Sequence, residues 1–143
     1  MGGDKDQITA VASGRCDVAI ANSYYYAQMA FGGDRTLRVA ASKVGIFWPN
    51  QNDRGTHINI SGAGVTASSK NKASAIRLLN YLLNDDAQRW YATVNGEYPV
   101  KKSIPADPRI QAWGAFKSDS LNLSELGRFN THAIKVMDQA GWR

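Results

Sequence analysis

Residues 16–26 read CDVAIANSYYY and decide the predicted fold. Cys16–Ala21 is a nearly continuous run of small and β-branched apolar residues, which predicts a strand covered on both faces, as in a parallel sheet. A helix is predicted to follow over Tyr24–Phe31. In open α/β sheets ligands bind outside the carboxyl ends of the strands, so the tyrosines lie where a binding site is expected.

The elements around this run predict an α/β protein with a helical C-terminal tail. A helix over Lys5–Ser13, capped by Asp4, precedes the run. The other predicted strands are Leu37–Ala41, Val44–Trp48 and His57–Ile60. Later helices are predicted over Asn71–Leu83 and Ala87–Val94, from Asp107, and from Asn122 to Gly141. Because parallel sheets are wound from strand–helix–strand units, a sheet neighbour of Cys16–Ala21 is expected to be missing.

Length and composition limit the classes of protein to which the chain can belong. Its 143 residues match one domain, and 43% hydrophobic with 20% charged residues is an ordinary globular composition. The single cysteine excludes an intrachain disulfide scaffold, and no apolar run approaches the roughly 18–20 residues that span a bilayer. The first residues lack the basic and apolar blocks of a signal peptide.

The formal net charge of +5 does not by itself predict a nucleic-acid-binding protein. The positive residues are scattered, and the longest run is Lys101-Lys102. A nucleic-acid-binding face would concentrate lysine and arginine on one element, often among stacking aromatic residues. We therefore expect no nucleic-acid partner and interpret the charge as a solvated basic surface.

Tyr24, Tyr25 and Tyr26 admit three interpretations from the residues alone. Tyrosines at a corner between a strand and a helix can bury ring area and form hydrogen bonds at the rim of a core. They can stack on a sugar or a base. Their phenolate oxygens can also bind a hard, highly charged cation such as Fe³⁺, whose own charge displaces a proton with an ordinary pKa of about 10.

The chain resembles the periplasmic ferric-ion-binding proteins that supply iron ABC transporters. The resemblance extends over essentially the whole chain and rests on the order and spacing of seven segments. These are GGDKDQ (2–7), AVASGRCD (10–17), ANSYYY (21–26), WPNQ (48–51), RGTHINISGAG (54–64), NGEYPV (95–100) and MDQAGW (137–142).

The resemblance implies a ferric site on the tyrosines. Family members are two-lobed periplasmic binding proteins of the type II fold that close on Fe³⁺, and the match implies that Tyr24 and Tyr25 are ligands. Tyr26 is expected to pack. Asn22 and Arg54 are expected to support a synergistic anion such as carbonate, or to lie in the shell around the ligands.

The resemblance also implies a partial two-lobed architecture and a set of partners. Residues 1–56 would belong to the C-terminal lobe with the tyrosine motif, and residues 57–143 would form a crossing strand and a helical region. The N-terminal lobe and a signal peptide would lie upstream. The protein would be periplasmic, would not be an enzyme, and would deliver iron to an inner-membrane ABC permease.

Two further expectations accompany this interpretation. A sheet edge left exposed in the chain is expected to pair with a second copy, forming a homo-oligomer. The alternative function is binding of another solute, either a sugar or a different metal, in which Tyr24–Tyr26 serve for stacking.

Overall fold

The computed structural model describes residues 2–142, and in that range the chain is mostly helical. No β-strand forms in the described part, where Thr56 and Ser118 make an isolated parallel bridge. The helices are α1 (Asp4–Ala12), α2 (Ser23–Phe31), α3 (Arg35–Ala41), α4 (Lys72–Leu82), α5 (Asp85–Trp90), α6 (Pro108–Gln111) and α7 (Ser124–Gln139), with a π-helical turn at Tyr91–Asn95 after α5. No helix within residues 2–142 is both long enough and apolar enough to cross a membrane.

The predicted strands are wrong. Leu37–Ala41 lies in α3, whereas Cys16–Ala21, Val44–Trp48 and His57–Ile60 have no regular secondary structure. Val18 and Ile20 are 80% and 79% exposed, so the apolar run is not buried. A strand forms only when a neighbouring segment satisfies its backbone N–H and C=O groups, and no segment of residues 2–142 does so.

The prediction of an oligomer through a sheet edge loses its basis for the same reason. An exposed edge can pair with a second chain only where a sheet exists. Because residues 2–142 contain no sheet, they present no edge for pairing. The α/β part of the fold-class prediction is therefore wrong for residues 2–142, which are mostly helical.

The helices predicted from local signals do form. Asn84 caps α5 by accepting a hydrogen bond from the Ala87 N–H at 2.8 Å. Asp107 caps α6 by accepting one from the Arg109 N–H at 2.9 Å, and Pro108 occupies the first helical position. These caps are short-range interactions, which is why the sequence pattern detects them.

One predicted cap belongs to a different residue. The N-cap of α1 is Gly3, and the Asp6 carboxylate accepts a hydrogen bond from the Gly3 N–H at 3.1 Å. Asp4, the predicted cap, is instead the first residue of the helix. Its carboxylate is therefore free to contact another part of the chain.

The chain divides into two compact units. One consists of Gly2–Ile46 and Asn59–Ala115, and the other of residues 47–58 and 116–142. In the second of these units, the Gln51 side chain accepts a hydrogen bond from the Lys117 N–H at 2.7 Å. The predicted division into residues 1–56 and 57–143 stays a prediction, and its terminal residues Met1 and Arg143 lie outside the described range.

In the unit formed by Gly2–Ile46 and Asn59–Ala115, α2 packs against other residues on two sides. Ile8, Met29 and Ala41, from α1, α2 and α3, form a core that is at most 4% exposed. On the other side, Gly96 ends the π-helical turn with φ +70°, and a Cβ atom there would overlap the side chain of Ala27 in α2. Glycine therefore allows the turn to lie directly against α2.

Candidate metal centre

Tyr24 and Tyr25 lie together in the first turn of α2. The helix begins at Ser23, after Asn22 in an extended conformation. The two ring centroids are 4.4 Å apart with a tilt of 43°, and a hydrogen bond links the two side chains. Both residues are half-buried. Two neighbouring, partly exposed phenols can direct two oxygen atoms at a single ion.

The surroundings of Tyr24 favour its neutral form when no cation is bound. The hydrogen bond with Tyr25 raises the pKa of the Tyr24 phenol, and burial and the negative charges of Asp4 and Glu97 raise this pKa further. A ligand that takes this oxygen as a phenolate must therefore supply enough positive charge to displace the proton. A trivalent cation meets this requirement better than a divalent one.

A chain of hydrogen bonds fixes the residue at which α2 begins. Asp4 Oδ1 accepts from the backbone N–H of Asn22 at 2.7 Å and from its side-chain Nδ2 at 3.3 Å. The Asn22 Oδ1 atom in turn accepts from Asn59 Nδ2 at 2.9 Å. Asn22 thus uses its side chain to connect α1 with the segment after residue 58, and it makes no side-chain cap on α2.

Lys5 brings a positive charge close to the ring of Tyr25. Its Nζ atom lies 6.0 Å from the centroid of the Tyr25 ring, at the outer limit of a cation–π contact. Lys5 follows Asp4 in the first turn of α1. This turn therefore presents one charge of each sign to the start of α2.

Tyr26 has a structural role, as predicted. Its hydroxyl lies 3.0 Å from the carbonyl oxygen of Val44 and 3.2 Å from that of Ala41, within donating distance of both. Its ring meets Trp113 edge-on, with centroids 5.4 Å apart. Burial raises the pKa of the Tyr26 phenol. The prediction that Tyr26 packs is confirmed.

Arg54 lies in the unit formed by residues 47–58 and 116–142, whereas the tyrosines lie in the other unit. Its Nε atom is 3.5 Å from Asp119 Oδ2, and its side chain is mostly exposed. The guanidinium is therefore engaged with a carboxylate. Its predicted contact with an anion stays a prediction.

Sequence reasoning missed three residues around the tyrosine pair. Asp4, Lys5 and Asn59 all lie in segments on which the family resemblance rests. The local pattern predicts only a helix cap for Asp4 and nothing for Lys5 and Asn59, because their relation to the tyrosines depends on how distant segments meet. Within residues 2–142, no group of three or more His, Cys, Asp or Glu side chains is arranged to hold a metal ion.

Comparison with known proteins gives consistent matches along the chain. Residues 2–118 match the family model described as bacterial extracellular solute-binding protein. Iron uptake protein A2 of Synechocystis sp. is 46% identical over 144 residues, a match that covers 99% of this chain and 42% of that protein. The chain thus spans about two fifths of the length of this curated relative.

Solved structures match over the whole chain. The Trichodesmium protein (IdiA, FutA), solved in complex with iron and citrate ligands, is 45% identical with a TM-score of 0.93, covering 100% of this chain and 45% of its own. The ferric binding protein from Campylobacter jejuni is 32% identical with a TM-score of 0.94, again covering 100% of this chain and 45% of its own.

Proposed function

Because the chain belongs to the bacterial extracellular solute-binding protein family, we propose that it binds ferric iron as part of the solute-binding component of an ABC importer. This is a family of binding proteins, in agreement with the prediction that the chain is not an enzyme. The names of its relatives support iron as the solute, since they include an iron uptake protein and a ferric binding protein.

The pairing of Tyr24 with Tyr25 is the observation that carries this proposal. Their rings are 4.4 Å apart and both side chains are partly exposed, so their two oxygens can bind one ion. Phenolate is a hard, anionic ligand that suits Fe³⁺. Tyr24 and Tyr25 are the proposed metal ligands.

The tyrosine pair supplies only part of a coordination shell. Two phenolates leave positions for water, for a synergistic anion such as carbonate, or for donors outside these 143 residues. Asn22 and Arg54 are the proposed residues for an anion or for the shell around the ligands. The proposed location is the periplasm and the proposed partner is an inner-membrane ABC permease.

Stacking on a sugar has less support. Two rings that stack on the same face of one sugar must be nearly parallel, but the Tyr24 and Tyr25 rings are tilted by 43°. Tyr26, the third member of the run, already has its ring against Trp113. The arrangement therefore favours ligation by oxygen over stacking by ring faces.

Visible absorption spectroscopy tests the assignment. Adding Fe³⁺ to the chain is expected to produce a phenolate-to-iron charge-transfer band, which the double substitution Tyr24→Phe and Tyr25→Phe abolishes. Tyr81→Phe is the matched control, because Tyr81 is 60% exposed on α4. A band that survives the double substitution unchanged would show that these tyrosines are not the ligands.

A further inference from the structure

A single hydrogen bond ties the surface segment 59–64 to the rest of the described chain. These six residues are all exposed and have no regular secondary structure. Their backbone groups form no hydrogen bond with any other protein group of residues 2–142. The side chain of Asn59 makes the one connection, because its Nδ2 atom donates to Asn22 Oδ1 at 2.9 Å.

The partner of Asn59 lies directly before the helix that carries the candidate ligands. Asn22 precedes α2, and Tyr24 and Tyr25 lie in the first turn of this helix. Asn59 is 37 positions further along the chain and begins the second stretch of the same compact unit. The bond therefore joins the residue at which the chain re-enters this unit to the start of α2.

Two neighbours hold the side-chain amide of Asn22 in one orientation. Its Oδ1 atom accepts from Asn59, and its Nδ2 atom donates to Asp4 Oδ1 at 3.3 Å. If the amide turned over, its NH₂ group would face the NH₂ group of Asn59, and its oxygen would face the Asp4 carboxylate. The oxygen therefore points to Asn59 as long as both contacts are present.

The bond to Asn59 competes with the ordinary role of an asparagine at this position. An asparagine directly before a helix usually caps it, accepting from the backbone N–H of the second or third helical residue. In α2 these residues are Tyr24 and Tyr25. Asn22 makes no side-chain cap of this kind. Asn59 thus occupies the oxygen that would otherwise turn toward the first turn of α2.

We propose that Asn59 is a positioning residue for the iron site, which holds the Asn22 oxygen and thereby fixes the first turn of α2 with its two candidate ligands. This inference rests on the proposed function. Asn59 acts on the ion only through Asn22 and does not contact it. Ligands that are already oriented lose less conformational freedom when the ion binds, so the affinity for iron is higher.

Asn59→Ala tests the proposal by removing the donor. Competition with a chelator should show that the affinity for Fe³⁺ falls about three- to tenfold, the range that corresponds to one ordinary hydrogen bond. The charge-transfer band should shift in wavelength, because its energy depends on the angle at which each phenolate meets the ion. The urea midpoint should stay close to that of the unaltered chain, since Asn59 is exposed.

A double-mutant cycle with Asn22→Ala shows whether Asn59 acts through Asn22. In the Asn22→Ala background, Asn59→Ala should change the iron affinity by less than about twofold, because the oxygen that Asn59 holds is already absent. Asn71→Ala is the matched control. Asn71 lies directly before α4 and makes no side-chain cap, so its replacement should leave the affinity and the band unchanged.

Three results would overturn the role of Asn59. The first is equal affinity and an equal band for Asn59→Ala and Asn71→Ala. The second is a loss of affinity by Asn59→Ala that has the same size in both backgrounds. The third is a loss that comes with a large fall in the urea midpoint, which would make the role of Asn59 structural. The proposed iron function survives all three, whereas the absence of any tyrosine-dependent band in the unaltered chain removes that function itself.

Discussion

The hydroxyl of Tyr26 lies 3.0 Å from the carbonyl oxygen of Val44 and is within donating distance of it. The same hydroxyl lies 3.2 Å from the carbonyl oxygen of Ala41, so one side chain joins α2 to the end of α3 and the segment after it. Tyr24 and Tyr25, which directly precede it, remain partly exposed. The run of three tyrosines therefore contains one structural residue, Tyr26, and two candidate ligands, Tyr24 and Tyr25.

We predict that Tyr26→Phe lowers stability without removing the iron band. The substitution leaves the Ala41 and Val44 carbonyls without this donor, which costs about 1–3 kcal/mol of unfolding free energy. Urea denaturation measures the loss, and absorption of the iron-loaded chain measures the band. A variant that loses the band while remaining folded would make Tyr26 part of the iron site.

Iron binding is predicted to strengthen as pH rises, because Tyr24 must lose a proton to become a ligand. The hydrogen bond with Tyr25 raises the pKa of the Tyr24 phenol, so this proton is still bound at neutral pH in the metal-free chain. Between about pH 5 and pH 7, the logarithm of apparent affinity should rise about one unit more per pH unit in the unaltered chain than in Tyr24→Phe.

Competition with a chelator at each pH measures this difference in slope. Tyr81→Phe serves as the control, and its slope is expected to equal that of the unaltered chain, since Tyr81 is exposed on α4. Equal slopes for Tyr24→Phe and Tyr81→Phe would mean that Tyr24 releases no proton to the ion. Such a result would contradict its assignment as a phenolate ligand.

The ion pair between Asp107 and Arg109 is predicted to add stability that is lost in acid. Arg109 Nε lies 2.8 Å from Asp107 Oδ1, and this hydrogen bond lowers the pKa of the Asp107 carboxyl from 3.8. Since the folded-state pKa lies below the unfolded value, the contribution is complete above the unfolded pKa. It disappears as pH falls through the folded-state value.

Asp107→Asn tests this contribution while keeping a residue that can cap α6. Melting temperatures measured from about pH 6 to about pH 2 should fall less steeply for this variant than for the unaltered chain. Arg109→Gln removes the partner while keeping Asp107, and its curve should also be shallower than that of the unaltered chain. Parallel curves for all three proteins would show that the ion pair contributes nothing measurable.

Apart from α3, which the pattern predicts in part as a strand, the helices could be predicted from the sequence, whereas the predicted strands do not form in residues 2–142. The caps at Asn84 and Asp107 act over two or three residues, so the sequence contains all the information that these helix starts require. A strand depends on a partner elsewhere in the chain. The apolar run around Val18 and Ile20 fits a strand locally, but within residues 2–142 it has no strand beside it.

The apolar faces of two helices show the same limitation. The helical spacing of apolar residues in 71–83 and 122–141 places Ile76 and Phe129 on apolar faces, yet Ile76 is 51% exposed and Phe129 is 49% exposed. Amphipathic spacing predicts which face of a helix is apolar. It does not show whether the described part of the chain supplies a surface to cover that face.

Only part of the candidate site could be predicted from the sequence. Tyr24 and Tyr25 are adjacent in the sequence, so the motif brings them to attention, and the family resemblance predicts their role as ligands. The contacts of Asp4 with Asn22 and of Asn22 with Asn59 join residues that are 18 and 37 positions apart. Such contacts arise from folding, and only the structure reveals them.

The core beneath α2 is predicted to determine whether the tyrosines are held in place at all. Met29 is completely buried, so Met29→Ala should lower the unfolding free energy by about 2–5 kcal/mol. Leu78→Ala removes a similar apolar volume from a position on α4 that is 57% exposed, and should change stability by no more than about 0.5 kcal/mol. Urea denaturation of both variants provides the comparison. Equal losses would mean that the packing of α1, α2 and α3 around Met29 does not stabilise the fold, and that the tyrosine pair is positioned by other contacts.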